Sequence, residues 1–284
     1  MLFLLSPAKT LDYQSRIAPA VRRKATEPVF KDHAAELIEH LAPLSAAQLA
    51  QLMDLSAELA TLNVARYGQW SRAPDARHIR PAALAFNGDV YGGLQAPTLK
   101  AVDMNWAQQH LVILSGLYGV LRPLDQVQAH RLEMGIRLAN PHGADLYAFW
   151  GDRIAHYLNQ RQTDEARPVL VNLASQEYFR AVQRRALRAR VVECVFEDWK
   201  SGQYKVISFF AKRARGLMAR WAVQQRATQV KQLQGFDSEG YAFDGPSSSA
   251  DRLLFRRRQN EPIDRTEYRH ETANRDARAA PMDR

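Results

Sequence analysis

The 284-residue sequence contains one cysteine, Cys194. A single cysteine cannot form an intrachain disulfide, and zinc sites built from several cysteines are excluded. Its neighbours in Val191–Phe196 are mostly apolar, which favours a buried structural thiol over a reactive nucleophile. Because such cysteine usage suits a reducing compartment, we expect a cytoplasmic protein.

Long apolar runs and clustered metal ligands are missing as well. The N-terminal run Met1–Leu5 is too short for a signal-peptide core, and no stretch approaches the roughly 20 apolar residues of a membrane helix. The eight histidines are dispersed, and His130 has no second His or Cys at metal-ligand spacing. The sequence therefore predicts a soluble protein with no membrane partner, no dedicated metal site and no cofactor.

Charge and length set the broad class. Lys and Arg number 39 against 30 Asp and Glu, a net charge of +9 that favours a polyanionic partner. The length allows one large domain or two small ones. Few large apolar residues follow Arg256, so we predict that the folded part of the chain is 1–258 and that 259–284 is a flexible, mixed-charge tail.

Short apolar runs alternate with amphipathic stretches, which predicts an α/β fold: a mixed sheet flanked by helices. The predicted strands are Leu2–Leu5, Ala83–Phe86, Leu111–Leu114, Val169–Leu173 and Val191–Phe196, with weaker candidates at Tyr204–Phe209 and Leu253–Arg256. The predicted helices are His33–Leu41, Ala46–Met53, Ala57–Tyr67, Asp145–Asn159 and Ala211–Gln225. Ser45 and Ser56 are expected N-caps of the second and third helices.

Small polar and charged residues follow four of the predicted strands. Since ligands bind at the carboxyl ends of strands in open α/β sheets, these residues are expected to surround one pocket. They are Ser6, Lys9, Thr10, Asn87, Asp89, Ser115, Gly116, Tyr118 and Ser175. Lys9, Asp89, Glu133 and Glu177 are candidate catalytic groups. Ordinary turns are the alternative, and no Gly-rich phosphate-loop pattern occurs there.

A second cluster contains three arginines, Arg122, Arg131 and Arg137, with Glu133 between the last two. Their planar guanidinium groups suit phosphate or carboxylate, so we add them to the predicted pocket. A buried Arg–Glu–Arg structural network is the alternative.

Positive charge concentrates between residues 180 and 231, where thirteen Lys or Arg residues face three acidic ones. In its densest part, Ala214, Leu217, Met218 and Trp221 form an apolar stripe that leaves cations on the other faces. Such cations can bind nucleic-acid phosphates without reading sequence. The predicted DNA contacts are Arg184, Arg185, Lys212, Arg213, Arg215 and Arg220. The alternative is a solvated helix face.

The helix pair Ala46–Met53 and Ala57–Tyr67 has the size of a helix-hairpin-helix DNA-binding element. Its Asp54-Leu55-Ser56 connection lacks the usual glycines, however, and Arg66 is its one basic residue. Packing of Leu49, Leu52, Leu59 and Leu62 is the competing explanation.

Taken together, these motifs resemble the YaaA peroxide stress resistance family. The resemblance runs from Met1 to about Phe255. Its blocks are Ser6–Asp12, Phe86–Tyr91, Leu114–Asp125, Arg131–Arg137, Phe149–Asp152, Asn172–Ser175, Ala211–Met218 and Gly235–Tyr241.

This resemblance implies a bacterial cytoplasmic protein that is induced by hydrogen peroxide and limits damage from unincorporated intracellular iron. It also implies a single-domain mixed α/β fold of unusual topology, with DNA binding through a positively charged cleft and a helix-hairpin-helix element. The family supplies no catalytic assignment to transfer.

Three hypotheses follow. The first is a stress protein that binds double-stranded DNA, largely independently of sequence. The second is an enzyme acting on a nucleotide or other small phosphorylated ligand in the strand-end pocket. The third, direct iron sequestration, has the least support because no carboxylate–histidine ligand spacing occurs.

Overall fold

The computed structural model describes residues 1–258, so the predicted tail at 259–284 lies outside the described residues. The α/β prediction is confirmed: a mixed sheet is flanked by helices. The strands, in chain order, are β1 Leu2–Leu5, β2 Ile79–Pro81, β3 Leu111–Ser115, β4 Gly119–Leu121, β5 Gln126–Gln128, β6 Val169–Leu173, β7 Arg190–Lys200, β8 Gln203–Lys205, β9 Ala242–Phe243 and β10 Arg252–Arg257.

The helices connect these strands and cover the sheet. In chain order they are α1 Pro19–Arg22, α2 Lys31–Leu41, α3 Ala46–Met53, α4 Ala57–Gln69, α5 Ala82–Ala85, α6 Asp89–Leu94, α7 Ala101–His110, α8 Leu146–Trp150, α9 Arg153–Gln160, α10 Gln176–Phe179 and α11 Ser208–Gln225. Short 3₁₀ helices span Ala96–Thr98, Arg184–Ala186, Val230–Gly235 and Ser238–Gly240. Among the described helices, none is long and apolar enough to cross a lipid bilayer.

The main sheet has the strand order β4-β3-β1-β6-β7-β10-β9, with β8 paired to β7. Strand β1 lies between β3 and β6, and all three run parallel, as do β6, β7 and β10. Strands β1 and β3 are buried throughout, which explains their continuous apolar sequences. The carboxyl ends of β1, β3 and β6 therefore meet at one edge of the sheet, as the sequence predicts.

The predicted strand Ala83–Phe86 is wrong, because this segment contains helix α5. Alanine is the strongest helix former, and a short buried apolar run does not distinguish a strand from a helix. The following loop still reaches the edge of β1, since the Asn87 amide donates a 2.9 Å hydrogen bond to the Thr10 carbonyl. The Asp12 amide likewise donates to the Ala85 carbonyl at 2.7 Å.

Two other boundaries differ from prediction. The single helix expected over Asp145–Asn159 is two helices, because Gly151 adopts a φ of +46° and interrupts the chain between α8 and α9. The weak strand candidate Tyr204–Phe209 contains the end of β8 and the start of α11.

The predicted caps of α3 and α4 are confirmed. The Ser45 hydroxyl accepts from the Gln48 amide and the Ser56 hydroxyl from the Leu59 amide, both at 3.3 Å. The two helices pack against each other, and Asp54 turns the chain between them with a φ of +52°. Their identity as a DNA-binding helix-hairpin-helix element stays a prediction.

Helix α11 packs tightly against α6, and two glycines make this approach possible. A Cβ atom at Gly216 would lie 1.8 Å from the Val90 carbonyl oxygen, and one at Gly93 would lie 2.3 Å from the Arg213 carbonyl oxygen. Much of α11 is consequently buried, including Ala214, Leu217 and Met218 of the predicted apolar stripe. Helix α11 is thus a packed structural element, and its cationic side chains project from the part of the helix that is not buried.

Candidate functional site

A cavity of about 550 Å³ lies at the carboxyl ends of β1, β3 and β6. Its walls come from the loops that follow these strands, the start of α6, the segment after β5 and the first two turns of α11. The lining residues are Ser6, Pro7, Ala8, Lys9, Thr10, Phe86, Asn87, Gly88, Asp89, Val90, Gly92, Ser115, His130, Arg131, Leu132, Glu133, Ser175, Glu177, Tyr178, Phe209, Lys212, Arg213 and Arg215.

Most of the residues singled out from the sequence come together here. The predicted pocket residues that line the cavity are Ser6, Lys9, Thr10, Asn87, Asp89, Ser115, Arg131 and Ser175. The remaining catalytic candidates, Glu133 and Glu177, line it too, as do three predicted DNA contacts, Lys212, Arg213 and Arg215. Their roles stay predictions, but their proximity is now a structural fact.

Four predicted pocket residues lie outside this lining, and two of them are buried in the wall behind it. A Cβ atom at Gly116 would be 2.2 Å from the Leu132 carbonyl oxygen, so this glycine permits backbone packing. The Tyr118 hydroxyl is buried and accepts hydrogen bonds from Trp70 Nε1 at 3.0 Å and the Gln128 amide at 3.3 Å.

The other two are arginines with different surroundings. Arg122 Nη2 and Nε donate to the buried Asp125 carboxylate at 2.8 and 3.1 Å, which gives this arginine a structural partner. Arg137 is exposed and does not contribute to the cavity wall. The Arg122–Asp125 spacing of three residues was a sequence signal for this pairing.

The Glu133 carboxylate lies between two cations on the cavity wall. Its Oε1 accepts from Arg131 Nε at 3.0 Å and lies 3.4 Å from Lys9 Nζ. Its Oε2 is buried and makes no hydrogen bond within residues 1–258. Because a buried polar atom without a partner is destabilising, this oxygen is a candidate for contact with a ligand.

Serine hydroxyls tie the strand ends together. The Ser175 amide donates to Ser6 Oγ at 2.9 Å, and the Ser6 hydroxyl donates to Ser175 Oγ at 3.3 Å. The Tyr118 amide donates to Ser115 Oγ at 3.1 Å. The first two bonds join the loops after β1 and β6, and the third closes the turn after β3.

Two carboxylates of the cavity lining, Asp89 and Glu177, have different environments. Burial raises the pKa of Asp89, and the opposing effect of Lys212 and Arg213 is smaller. The Glu177 carboxylate instead accepts a 3.0 Å hydrogen bond from the Gly135 amide and anchors the loop that carries Glu133. Asp89 therefore remains a candidate acid or base, whereas Glu177 has a positioning contact in the cavity wall.

Two of the three α11 cations in the cavity lack a close partner. Arg213 donates to both oxygens of Glu239, at 2.6 to 3.1 Å. Lys212 and Arg215 make no ion pair or hydrogen bond to the described part of the chain. Burial lowers the pKa of Arg215, with Glu193 opposing this effect, and its side chain also borders a smaller cavity of about 240 Å³.

The remaining predicted DNA contacts lie away from the cavity lining. Arg220 Nη1 donates to the Leu94 and Gln95 carbonyls at 3.1 Å, where it caps the end of α6. Arg184 and Arg185 lie on an exposed 3₁₀ turn, with Arg185 Nη2 at 3.8 Å from Asp152. They form a separate basic surface.

His130, which has no metal-ligand partner at a suitable sequence spacing, also lines the cavity. Its Nδ1 lies 2.8 Å from the Gln128 carbonyl oxygen, and burial lowers its pKa to about 4. The imidazole is therefore neutral near pH 7 and donates through Nδ1, which leaves Nε2 as an acceptor. Within residues 1–258, no group of three or more His, Cys, Asp or Glu side chains could hold a metal ion.

Comparison with known proteins fixes the family. A family model described as peroxide stress protein YaaA matches residues 1–246. The chain belongs to this family. The YaaA resemblance of the sequence motifs is thereby confirmed, and the blocks Ser6–Asp12, Phe86–Tyr91 and Arg131–Arg137 all contribute to the cavity wall.

The chain is also similar to several bacterial proteins that are named UPF0246 proteins. The one from Leptothrix cholodnii is 62% identical over 257 residues, which cover 90% of this chain and 98% of the relative. The one from Albidiferax ferrireducens is 60% identical over 259 residues, covering 91% and 99%. The one from Bordetella pertussis is 59% identical over 259 residues, covering 91% and 100%.

Proposed function

We propose that this peroxide-stress protein acts in the cytoplasm by binding double-stranded DNA, largely independently of sequence, and so limits DNA damage linked to free iron. The observation that carries the proposal is the charge of the strand-end cavity. Five cationic side chains and three carboxylates line it. The cations are Lys9, Arg131, Lys212, Arg213 and Arg215.

Geometry limits how a duplex would be held. A double helix, whose major groove alone is about 12 Å wide, is too large to enter a cavity of about 550 Å³. It would lie across the mouth, where Lys9 is 68% exposed and Lys212 is exposed. Contacts of this kind bind phosphates, release counterions and do not read bases.

A gel-shift titration at several salt concentrations tests the proposal. We expect affinity to fall steeply with salt, and the Lys9→Ala/Lys212→Ala variant to lower the log–log salt slope by about 2. Arg77→Ala is the matched control, since Arg77 is an exposed cation that does not line the cavity. An Arg184→Ala/Arg185→Ala variant reports on the separate basic surface.

Two results would contradict this function. One is the absence of DNA binding by the wild-type protein. The other is an affinity that does not change with salt concentration.

A second candidate function is an enzyme acting on a small phosphorylated molecule. The specific observation favouring it is that one cavity contains both a desolvated carboxyl, that of Asp89, and the Glu133 Oε2 atom, which has no hydrogen-bond partner within residues 1–258. Holding DNA across the mouth requires neither group. Lys9 and Arg131 would bind the anion, while Asp89 or Glu133 would transfer protons and Glu177 would position the loop.

Asp89→Asn separates the two functions because it keeps the shape and removes the titrating group. If a reaction is required, this variant loses peroxide protection in cells while retaining the DNA affinity and salt slope of the wild type. Full protection by Asp89→Asn would remove the enzymatic candidate.

A further inference from the structure

The strand-end cavity has the size of a small-ligand site. Its volume of about 550 Å³ falls within the roughly 300–1,000 Å³ typical of pockets that enclose small molecules. Three aromatic rings, those of Phe86, Tyr178 and Phe209, line it among the polar groups. Flat apolar surfaces beside hydrogen-bonding groups are what a nucleotide base requires.

The cavity cations fall into two groups: committed cations, which form an ion pair with an acidic side chain, and uncommitted cations, which form none within residues 1–258. Lys9 and Arg131 share Glu133, and Arg213 pairs with Glu239. Lys212 and Arg215 have no ion pair or hydrogen bond with any residue in 1–258. They are three residues apart on α11, so their side chains are neighbours on one helix face.

This uncommitted pair suits a phosphate group. Arg215 is partly buried, and a desolvated guanidinium without hydrogen bonds is unfavourable unless an anion satisfies it. Glu193, the acid that raises the pKa of Arg215, has its Oε1 occupied by a 2.7 Å hydrogen bond from Gln176 Nε2. The guanidinium fork can hold two phosphate oxygens while the Lys212 ammonium supplies a second charge.

A different wall offers hydrogen-bond acceptors. Glu133 Oε2 is buried without a partner among the described residues, and His130 presents Nε2 because its Nδ1 donates to the Gln128 carbonyl. Acceptors of this kind recognise the exocyclic amine of a base, as acidic side chains do with the cytosine N4 amine. Adenine, guanine and cytosine carry such an amine, whereas thymine does not.

We propose that the cavity binds one nucleoside monophosphate unit, with its phosphate at Lys212 and Arg215 and an amine-bearing base against Glu133. The unit can come from a free nucleotide or from a nucleotide extruded from duplex DNA. The second source rests on the proposed DNA-binding function. With extrusion, the duplex would stay at the mouth while one of its bases enters the cavity, which is too small for the double helix.

Calorimetric titration of the full-length protein tests the site directly. The probes are deoxyguanosine, deoxycytidine and thymidine monophosphates, and inorganic phosphate. We expect the two amine-bearing nucleotides to bind at least tenfold more tightly than thymidine monophosphate or phosphate. Arg215→Met should weaken them at least tenfold, and Glu133→Gln should abolish the preference over thymidine monophosphate. Arg184→Met is the control outside the cavity, and circular dichroism checks that each variant folds.

A second arm distinguishes the sources. A duplex containing 2-aminopurine, whose fluorescence rises when the base leaves the stack, is titrated with wild-type protein and with Glu133→Gln. A rise in the wild type that is lost in Glu133→Gln, at unchanged gel-shift affinity, supports extrusion.

The outcomes separate this inference from the proposed function. Duplex binding with neither nucleotide binding nor a fluorescence rise overturns the nucleotide site and leaves DNA binding intact. Nucleotide binding without duplex binding overturns DNA binding and supports a free nucleotide as ligand. Nucleotide affinity unchanged in both Arg215→Met and Glu133→Gln overturns the site.

Discussion

Two arginine-rich regions of the molecule use the same residue types in opposite ways. Between the paired strands β7 and β10, Arg256 lies opposite Glu197 and Arg257 opposite Asp198 in the parallel register. Arg256 Nε lies 3.0 Å from Glu197, and Arg257 Nε lies 2.6 Å from Asp198. In the strand-end cavity, Arg215 has no such acid within hydrogen-bonding reach in the described chain.

The difference shows that pairing, rather than charge count, separates structural cations from candidate binding groups. The β10 arginines are satisfied by strand register, which places one acid beside each of them. The Arg257 and Asp198 side chains are 6% and 4% exposed, and the Tyr241 hydroxyl donates to the second Asp198 oxygen at 2.9 Å. A closed network of this kind has no capacity left for a ligand.

The largest expected effect comes from breaking the paired region. Arg257→Met leaves the Asp198 carboxylate buried without its cation, and removal of one partner from a buried pair lowers the free energy of unfolding by about 3–5 kcal/mol. Urea denaturation measures this change. The Arg257→Met/Asp198→Leu double variant should recover most of the loss, since it removes both charges.

The matching substitution in the cavity, Arg215→Met, is the control for this prediction. A loss below about 1 kcal/mol for Arg257→Met would contradict a structural role for the β10 pair.

The second-largest expected effect is the contribution of His130 to the pH dependence of the free energy of unfolding. Burial lowers the pKa of folded His130 to about 4, below the usual histidine pKa of 6.5, and Arg66 also lowers it while Glu133 raises it. The unfolded state therefore binds the proton first, and stability present above pH 6.5 is lost as the pH falls toward 4. Between pH 7 and pH 5 we expect His130 to account for a loss of about 2 kcal/mol.

The variant His130→Gln removes this titration and keeps a hydrogen-bond donor for the Gln128 carbonyl. Urea denaturation at pH 7 and pH 5 should therefore show a smaller acid loss in the variant than in the wild type. Equal losses would mean that His130 is accessible to protons in the folded state.

The sequence was sufficient for the fold class and for the position of the cavity. The strands β1, β3 and β6 are buried on both faces, so their continuous apolar runs were recognisable, and parallel order brings their polar ends together. The strand prediction for Ala83–Phe86 is wrong because four buried apolar residues fit a helix turn as well as a strand.

Individual roles were harder to predict because they depend on partners distant in the chain. Arg213 and Arg215 are two residues apart and both line the cavity, yet Arg213 pairs with Glu239 while Arg215 forms no ion pair within residues 1–258. Glu239 lies 26 residues beyond Arg213, and no local spacing indicates that contact. No local spacing indicates the contact of Arg220 with the Leu94 carbonyl at the end of α6 either, since the two residues are distant in the chain.

Arg215→Met should have the smallest effect on stability. It also tests most directly whether the cavity arginine differs from the paired arginines of β10. Without an anion, the folded protein gains no hydrogen bond from this guanidinium, so its replacement by an apolar chain should change the free energy of unfolding by less than about 1 kcal/mol. A ligand that binds the folded state stabilises it, by about 2.7 kcal/mol when present at 100 times its Kd. Deoxyguanosine monophosphate should therefore raise the thermal midpoint of the wild type but not of Arg215→Met. A destabilisation by Arg215→Met comparable to that of Arg257→Met would place Arg215 with the structural arginines, and the two regions would then differ in position alone.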